Sequence, residues 1–238
     1  PRLTKELADQ FLSDEYSLDL SEFTSIENAA AESLSKYDGW LLLDGLTSLS
    51  VEVAQALSKH KGWLLLDGLT KLSDAAIEAL SKRQGEGLYL NGLTSLSIGM
   101  TQALSKHQGY GLYLNGLTSL SIGMAQALSK HQGEGLELNG LTRLSDAEAE
   151  ALAKYKGYLS LDGLASLTER VAGALCKHEG SLSLGGLKSL SGTRNILNKQ
   201  KGSLALNGLT DLTEAAAQTL SKYKGRLQLD GLLSHRVG

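Results

Sequence analysis

Leucines alternate with other residues through Leu64-Leu65-Leu66 and then recur at Leu69 and Leu72, on the far side of an Asp67-Gly68 pair. Alternation predicts a short strand with Leu64 and Leu66 pointing inward and Leu65 outward. Asp67-Gly68 predicts a turn, because glycine tolerates positive φ and an aspartate side chain bonds nearby backbone. Leu69 and Leu72 return to the core. Ser73 and Asp74 read as an N-cap and an acidic first turn, matched by Ser145-Asp146, Thr168-Glu169 and Thr213-Glu214. The apolar spacing then becomes helical, with Ala76, Ile77 and Leu80 on one inward face. Lys82 and Gly85 close the helix, a cation at its negative end and a glycine in the C-cap region.

This strand-turn-helix unit recurs from end to end. Gly45, Gly68, Gly92, Gly116, Gly140, Gly163, Gly186, Gly208 and Gly231 stand at the same place, spaced 23, 24, 24, 24, 23, 23, 22 and 23 residues apart. That period predicts a solenoid. One unit buries about four leucines, far too little to offset the ordering of some 23 residues, so copies must stack to fold. Strands pack about 4.8 Å apart and helices roughly 8 to 10 Å, which predicts a curve with the strands inside. Thr4, Leu7, Ala8 and Phe11 read as the helical half of a truncated unit, and Leu18-Asp19-Leu20 as a degenerate strand. Leu227-Gln228-Leu229 is the last strand, followed by too few residues for a helix. The expectation is one array over residues 1–238, with about ten strand units cut mid-repeat at both ends.

The succession Leu41-x-Leu43-x-x-Leu46-x-x-Leu49 and its copies resembles the leucine-rich repeat family, in a bacterial-type variant. The resemblance covers essentially the whole chain. It implies an α/β fold, a curved right-handed solenoid with a parallel sheet on its inner face. It also implies recognition of a macromolecule, usually a protein, on that face, and no chemistry. One departure stands out. Where the family commonly carries asparagine or cysteine, this chain has Leu46, Leu69, Leu93, Leu117 and their counterparts. The family's buried asparagine ladder is missing there, and the backbone at that corner needs another partner.

Composition narrows the partner. A net charge of −3 and a pI near 6.0 argue against nucleic acid or an anionic membrane as target. No apolar run approaches the roughly 18 residues of a membrane span. Cys176 is the only cysteine, so no intramolecular disulfide forms and a four-cysteine zinc site is excluded. A strand edge left open at each truncated end would permit end-to-end self-association.

Outward strand positions are the place for recognition. The column between the two strand leucines runs Asp19, Leu42, Leu65, Tyr89, Tyr113, Glu137, Ser160, Ser183, Ala205 and Gln228. The column beside it begins with Trp40 and Trp63, then runs Gly87, Gly111, Gly135 and Tyr158. Trp40, Leu42, Trp63, Leu65, Tyr89 and Tyr113 are therefore expected to form one aromatic patch in the N-terminal half, suited to a protein interface or to sugar stacking.

Other columns fit plainer roles. Lys36, Lys59, Lys82, Lys106, Lys130, Lys154, Lys177, Lys199 and Lys222 make a basic ridge that helix dipoles account for without a ligand. Beside it run Tyr37, His60, Arg83, His107, His131, Tyr155, His178, Gln200 and Tyr223. No carboxylates or thiols are arrayed with these histidines as co-ligands, so no metal is expected. The mixed column Asp44, Asp67, Asn91, Asn115, Asn139, Asp162, Asn207 and Asp230 fits turn chemistry better than a calcium ladder. Residues 84–107 and 108–131 differ only at Glu86/Tyr110 and Thr101/Ala125. Wholesale copying supplies no unique constellation of catalytic groups. The reading is a non-catalytic, cofactor-free scaffold that binds a protein, with a structural or surface-display spacer as the alternative.

Overall fold

The structure, a computed structural model, describes residues 1–190, 200–210 and 212–235. It divides into two compact units, Pro1–Gly116 with His131–Glu134, and Leu117–Lys130 with Gly135–Gly238.

In the first unit β1 (Arg2–Leu3) pairs in parallel with β2 (Ser25–Ile26). Helices α1 (Lys5–Ser13) and α2 (Asn28–Leu34) follow these strands and pack together. Regular repeats then supply β3 (Leu41–Leu42), α3 (Val51–Leu57), β4 (Leu64–Leu65), α4 (Asp74–Ser81), β5 (Gly87–Tyr89), α5 (Ile98–Leu104) and β6 (Gly111–Tyr113). The strands are parallel and in strict repeat register, Leu41 beside Leu64, Leu64 beside Leu88, and Leu88 beside Leu112.

The second unit holds α6 (Ile122–Leu128), β7 (Gly135–Glu137), α7 (Asp146–Leu152), β8 (Tyr158–Ser160), α8 (Glu169–Leu175) and β9 (Leu182–Ser183). Then come β10 (Leu204–Ala205), α9 (Glu214–Leu220), β11 (Leu227–Gln228) and a 3-10 turn at Asp230–His235. Its strands keep the same parallel register through Leu136, Leu159, Leu182, Leu204 and Leu227. The alternating strand-helix architecture is the α/β repeat fold that the leucine period predicts.

Each regular strand is two or three residues long, and the turn after it packs against the preceding repeat. A Cβ on Gly68 would collide with the Asp44 carbonyl, and one on Gly92 with that of Asp67. This corrects the expected role of the glycine: its φ is not left-handed, and close approach of two backbones is what excludes a side chain. The core is lined as anticipated, with Leu64, Leu66, Leu69, Ala76, Ile77 and Leu80 all fully buried. Leu72 stays half-buried.

Helix starts are also as anticipated. Ser73 Oγ accepts from Ala76 N at 3.2 Å, and Thr168 Oγ1 from Val171 N at 3.2 Å. Ser145 and Glu148 form a reciprocal capping box. At the helix end Lys82 is the cap residue of α4, as anticipated, but the glycine cap is not formed. The cap residue Lys82 is right-handed, and Lys82 N and Arg83 N bond the carbonyls of Ala79 and Leu80 in a tightened last turn. Gly85 does not adopt the left-handed form of a C-cap glycine. The segment expected to give another strand, Leu18-Asp19-Leu20, instead enters a 3-10 turn at Leu20–Glu22, with Asp19 Oδ1 accepting from Ser21 N at 2.9 Å. It lacks the Asp/Asn-Gly pair that ends every regular strand except β9, where Gly185-Gly186 stands.

Candidate functional site

Parallel in-register pairing puts each outward side chain about one strand spacing from its counterpart in the next repeat. In the first unit four of those side chains are aromatic, and they stack in two pairs. The Trp40 and Trp63 rings lie 4.9 Å apart at 16°, and Tyr89 and Tyr113 lie 3.9 Å apart at 2°. Trp63 also meets Tyr89 at 5.9 Å and Tyr113 at 6.2 Å, so the two pairs form one platform. Leu42 and Leu65 flank it on β3 and β4. Trp40 remains 50% exposed and Leu42 43%, while Trp63, Leu65, Tyr89 and Tyr113 are half-buried against one another.

Two features of this platform escaped the sequence reading. Tyr110 is 56% exposed and meets Trp63 edge-on at 5.7 Å and 64°. Its position lies just before the strand, where alternation does not assign a face. Gly87 and Gly111 make room for the rings: a Cβ on Gly87 would overlap the Trp63 ring, and one on Gly111 would stand 2.7 Å from Tyr113 Cε2. The signal was present, since the column beside the aromatics changes from tryptophan to glycine where the tyrosines begin.

Beside Trp40 and Leu42 a pocket of about 450 Å³ opens, walled also by Phe11, Tyr16 and Tyr37 and carrying Glu15 and Asp19. The Tyr37 hydroxyl donates to Glu15 Oε2 at 2.5 Å, and this bond, with burial, pushes the Tyr37 pKa up to about 12. The phenol stays protonated and holds Glu15 in place. Phe11 meets Tyr37 edge-on at 5.3 Å. In the second unit the equivalent outward column, Glu137, Ser160, Ser183, Ala205 and Gln228, carries no aromatic residue. Ser160 and Ser183 are buried and donate to Asn139 Oδ1 at 2.8 Å and Asp162 Oδ1 at 2.6 Å.

The Asp/Asn column supplies the missing corner partner. Asp44 Oδ1 accepts from Asp67 N at 2.9 Å, Asp67 Oδ1 from Asn91 N at 2.8 Å, and Asn91 Oδ1 from Asn115 N at 2.9 Å. In the second unit Asn139 Oδ1 accepts from Asp162 N at 2.9 Å and Asp162 Oδ1 from Gly185 N at 2.6 Å. These carboxylates and amides tie one repeat to the next, where turn chemistry alone predicted bonds within a repeat. Burial raises the Asp44 pKa above the usual carboxylate value.

A second ladder occupies the histidine column, which the sequence placed beside the lysines. It is inside the protein: His60, Arg83, His107, His131, Tyr155, His178 and Gln200 are all buried. Arg83 donates Nη1 to the Gly87 carbonyl at 2.8 Å and Nη2 to that of Gly62. His178 Nε2 meets the Gly157 carbonyl at 3.0 Å, Gln200 Nε2 donates to Gly180 O at 2.7 Å, and Tyr223 donates to Gly202 O. In these repeats planar donors thus satisfy carbonyls at the turn into the strand, whereas both ring nitrogens of the buried His107 have no hydrogen-bond partner among the described residues. Burial, aided by His131 and Arg83, lowers the His107 pKa to about 3, and burial lowers Arg83 to about 10. Burial likewise lowers His60 and His178.

Lys36, Lys59, Lys82, Lys106, Lys130, Lys154, Lys177 and Lys222 are exposed near the helix ends; Lys199 lies outside the described residues. Cys176 is buried at the C-cap of α8. Among the described residues no group of three or more histidine, cysteine, aspartate or glutamate side chains is placed to hold a metal ion. Among the same residues no helix is long and apolar enough to cross a membrane.

No protein-family model and no curated protein matches this chain. Among solved structures it is similar to an internalin from Listeria monocytogenes, with 16% sequence identity, coverage of 86% of this chain and 74% of that chain, and a TM-score of 0.38.

Proposed function

We propose that the chain is a non-catalytic recognition scaffold that binds a protein through the strand face of its first unit. Trp40, Leu42, Trp63, Leu65, Tyr89 and Tyr113 form the contact surface, and Tyr110 extends it. The observation that carries this reading is the exposed stack of rings. Aromatic side chains locked against each other offer large contact area with little rotamer entropy left to lose, which is the composition of interface hot spots. A face built only to support the solenoid would gain from small, internally bonded residues, as at Ser160 and Ser183.

The near-identity of residues 84–107 and 108–131 favours one alternative, a spacer whose repeats set length and contact no ligand. The two readings separate in a crosslinking pull-down from source lysate and culture fluid. The chain is compared with a Trp40→Ala, Trp63→Ala variant after circular dichroism shows that both are folded. A partner held by the first and lost by the second supports the strand face. Equal retention by both, or no retained protein, overturns it in favour of the spacer.

A further inference from the structure

We propose that the pocket beside Trp40 receives a basic side chain, arginine or lysine, from the protein partner; this deepens the reading above and rests on it. The chemistry is local. Tyr16, Tyr37 and Trp40 present aromatic surface around a space of about 450 Å³, enough for a guanidinium or ammonium group and its stem. A cation over such rings is attracted by their quadrupoles, most strongly by tryptophan. Glu15 and Asp19 stand in the same wall. Glu15 Oε2 is occupied by the Tyr37 hydroxyl, and Asp19 Oδ1 by Ser21. The other oxygen of each carboxylate has no hydrogen-bond partner among the described residues, and neither residue takes part in an ion pair there.

Charge around the pocket points the same way. From Glu6 to Ser35 the chain carries eight carboxylates and neither a lysine nor an arginine. Only Asp9 and Glu27 of these are paired with cations in the described residues, by Lys5 and Arg2. A chain with a net charge of only −3 thus concentrates negative potential at this end. Such a field steers a basic partner toward the pocket and repels an acidic one. The apolar neighbours of the basic residue then fall on Leu42 and the Trp40–Trp63 stack. Aromatic walls with carboxylates between them discriminate by charge, which the platform alone does not.

The test is selection of random 12-residue peptides on the folded chain at low salt, followed by affinity measurements. The targets are the chain itself, a Glu15→Gln, Asp19→Asn variant, and a Trp63→Ala variant. Glu15→Gln keeps an acceptor for Tyr37, and both substituted positions are exposed. The inference expects enriched peptides that contain arginine or lysine beside apolar residues. Their affinity should fall about tenfold in the Gln/Asn variant and fall again as sodium chloride rises. Enriched peptides without basic residues, or peptides indifferent to the Gln/Asn variant, overturn the basic-side-chain inference. If those peptides still need Trp63, the aromatic face survives as the binding surface. If no peptide depends on either site, both readings fall together.

Discussion

Gly87 lies beneath the Trp63 ring, so close that a Cβ on residue 87 would overlap the ring carbons Cε3 and Cζ3. The aromatic platform is therefore set by a missing side chain as much as by the rings. Gly87→Ala should push Trp63 outward and break its contacts with Trp40 and Tyr89. The loss is about 0.5–1.5 kcal/mol per ring pair. The check is the near-ultraviolet circular dichroism of the stacked tryptophans, which should diminish while the far-ultraviolet spectrum is kept. An unchanged aromatic signal would refute the glycine's part in seating the ring.

Asp67 accepts from both the backbone N and the side-chain Nδ2 of Asn91, at 2.8 and 2.9 Å. Asp67→Ala leaves a turn N–H without its acceptor, at a cost of about 1–3 kcal/mol. Asp67→Asn retains an oxygen for the backbone bond and should lose less, as Asn91 itself demonstrates toward Asn115. Urea unfolding of the two variants should rank them in that order, and equal losses would show that the inter-repeat bond contributes nothing.

Arg83 is a fully buried cation held by carbonyl oxygens of Gly62 and Gly87. Arg83→Ala leaves two carbonyls without a donor and a cavity behind, and should destabilise by about 3 kcal/mol or more. Arg83→His restores the residue type used at His60, His107, His131 and His178, and should recover much of that loss at pH 8. Thermal unfolding of both variants decides the point. Equal damage would mean that the guanidinium fork itself is required.

The buried histidines make acid destabilising. Their folded pKa values lie below the ordinary 6.5, that of His107 at about 3, so the unfolded chain takes up protons that the folded chain refuses. Stability is complete above about pH 6.5 and falls as pH drops toward 3. Each histidine that remains neutral in the fold removes up to about 1.4 kcal/mol per pH unit. Replacing His60, His107 and His178 by glutamine, which Gln200 shows the column can seat, should flatten the stability profile between pH 7 and 5. An unchanged slope would assign the acid lability to other groups.

Much of the fold was legible because repetition multiplies a weak signal. One Leu-x-Leu is ambiguous; nine in register identify the strands, their inward leucines and the capped helices that follow. The patch residues were legible for the same reason, since alternation assigns a face to Trp40, Leu42, Leu65, Tyr89 and Tyr113. Alternation fails outside strands. It placed His60, Arg83 and His107 beside exposed lysines, although each precedes a glycine by two residues and that spacing recurs with Tyr37, Tyr155 and Tyr223. A turn has no period that says which residue points inward. Only backbone packing, with Gly109 closing over His107 and Gly85 over Arg83, puts the column inside.

The sequence by itself determined which positions are equivalent: the repeat length, the parallel register and the leucine core, because stacking requires every unit to bury the same places. The tertiary structure decided what lies across the repeat boundary. Asp44 bonds Asp67, Trp40 stacks on Trp63, and Glu15 is fixed by Tyr37, each pair about one repeat apart in the chain. Those relations depend on the distance between stacked backbones, which the order of residues along one repeat does not contain.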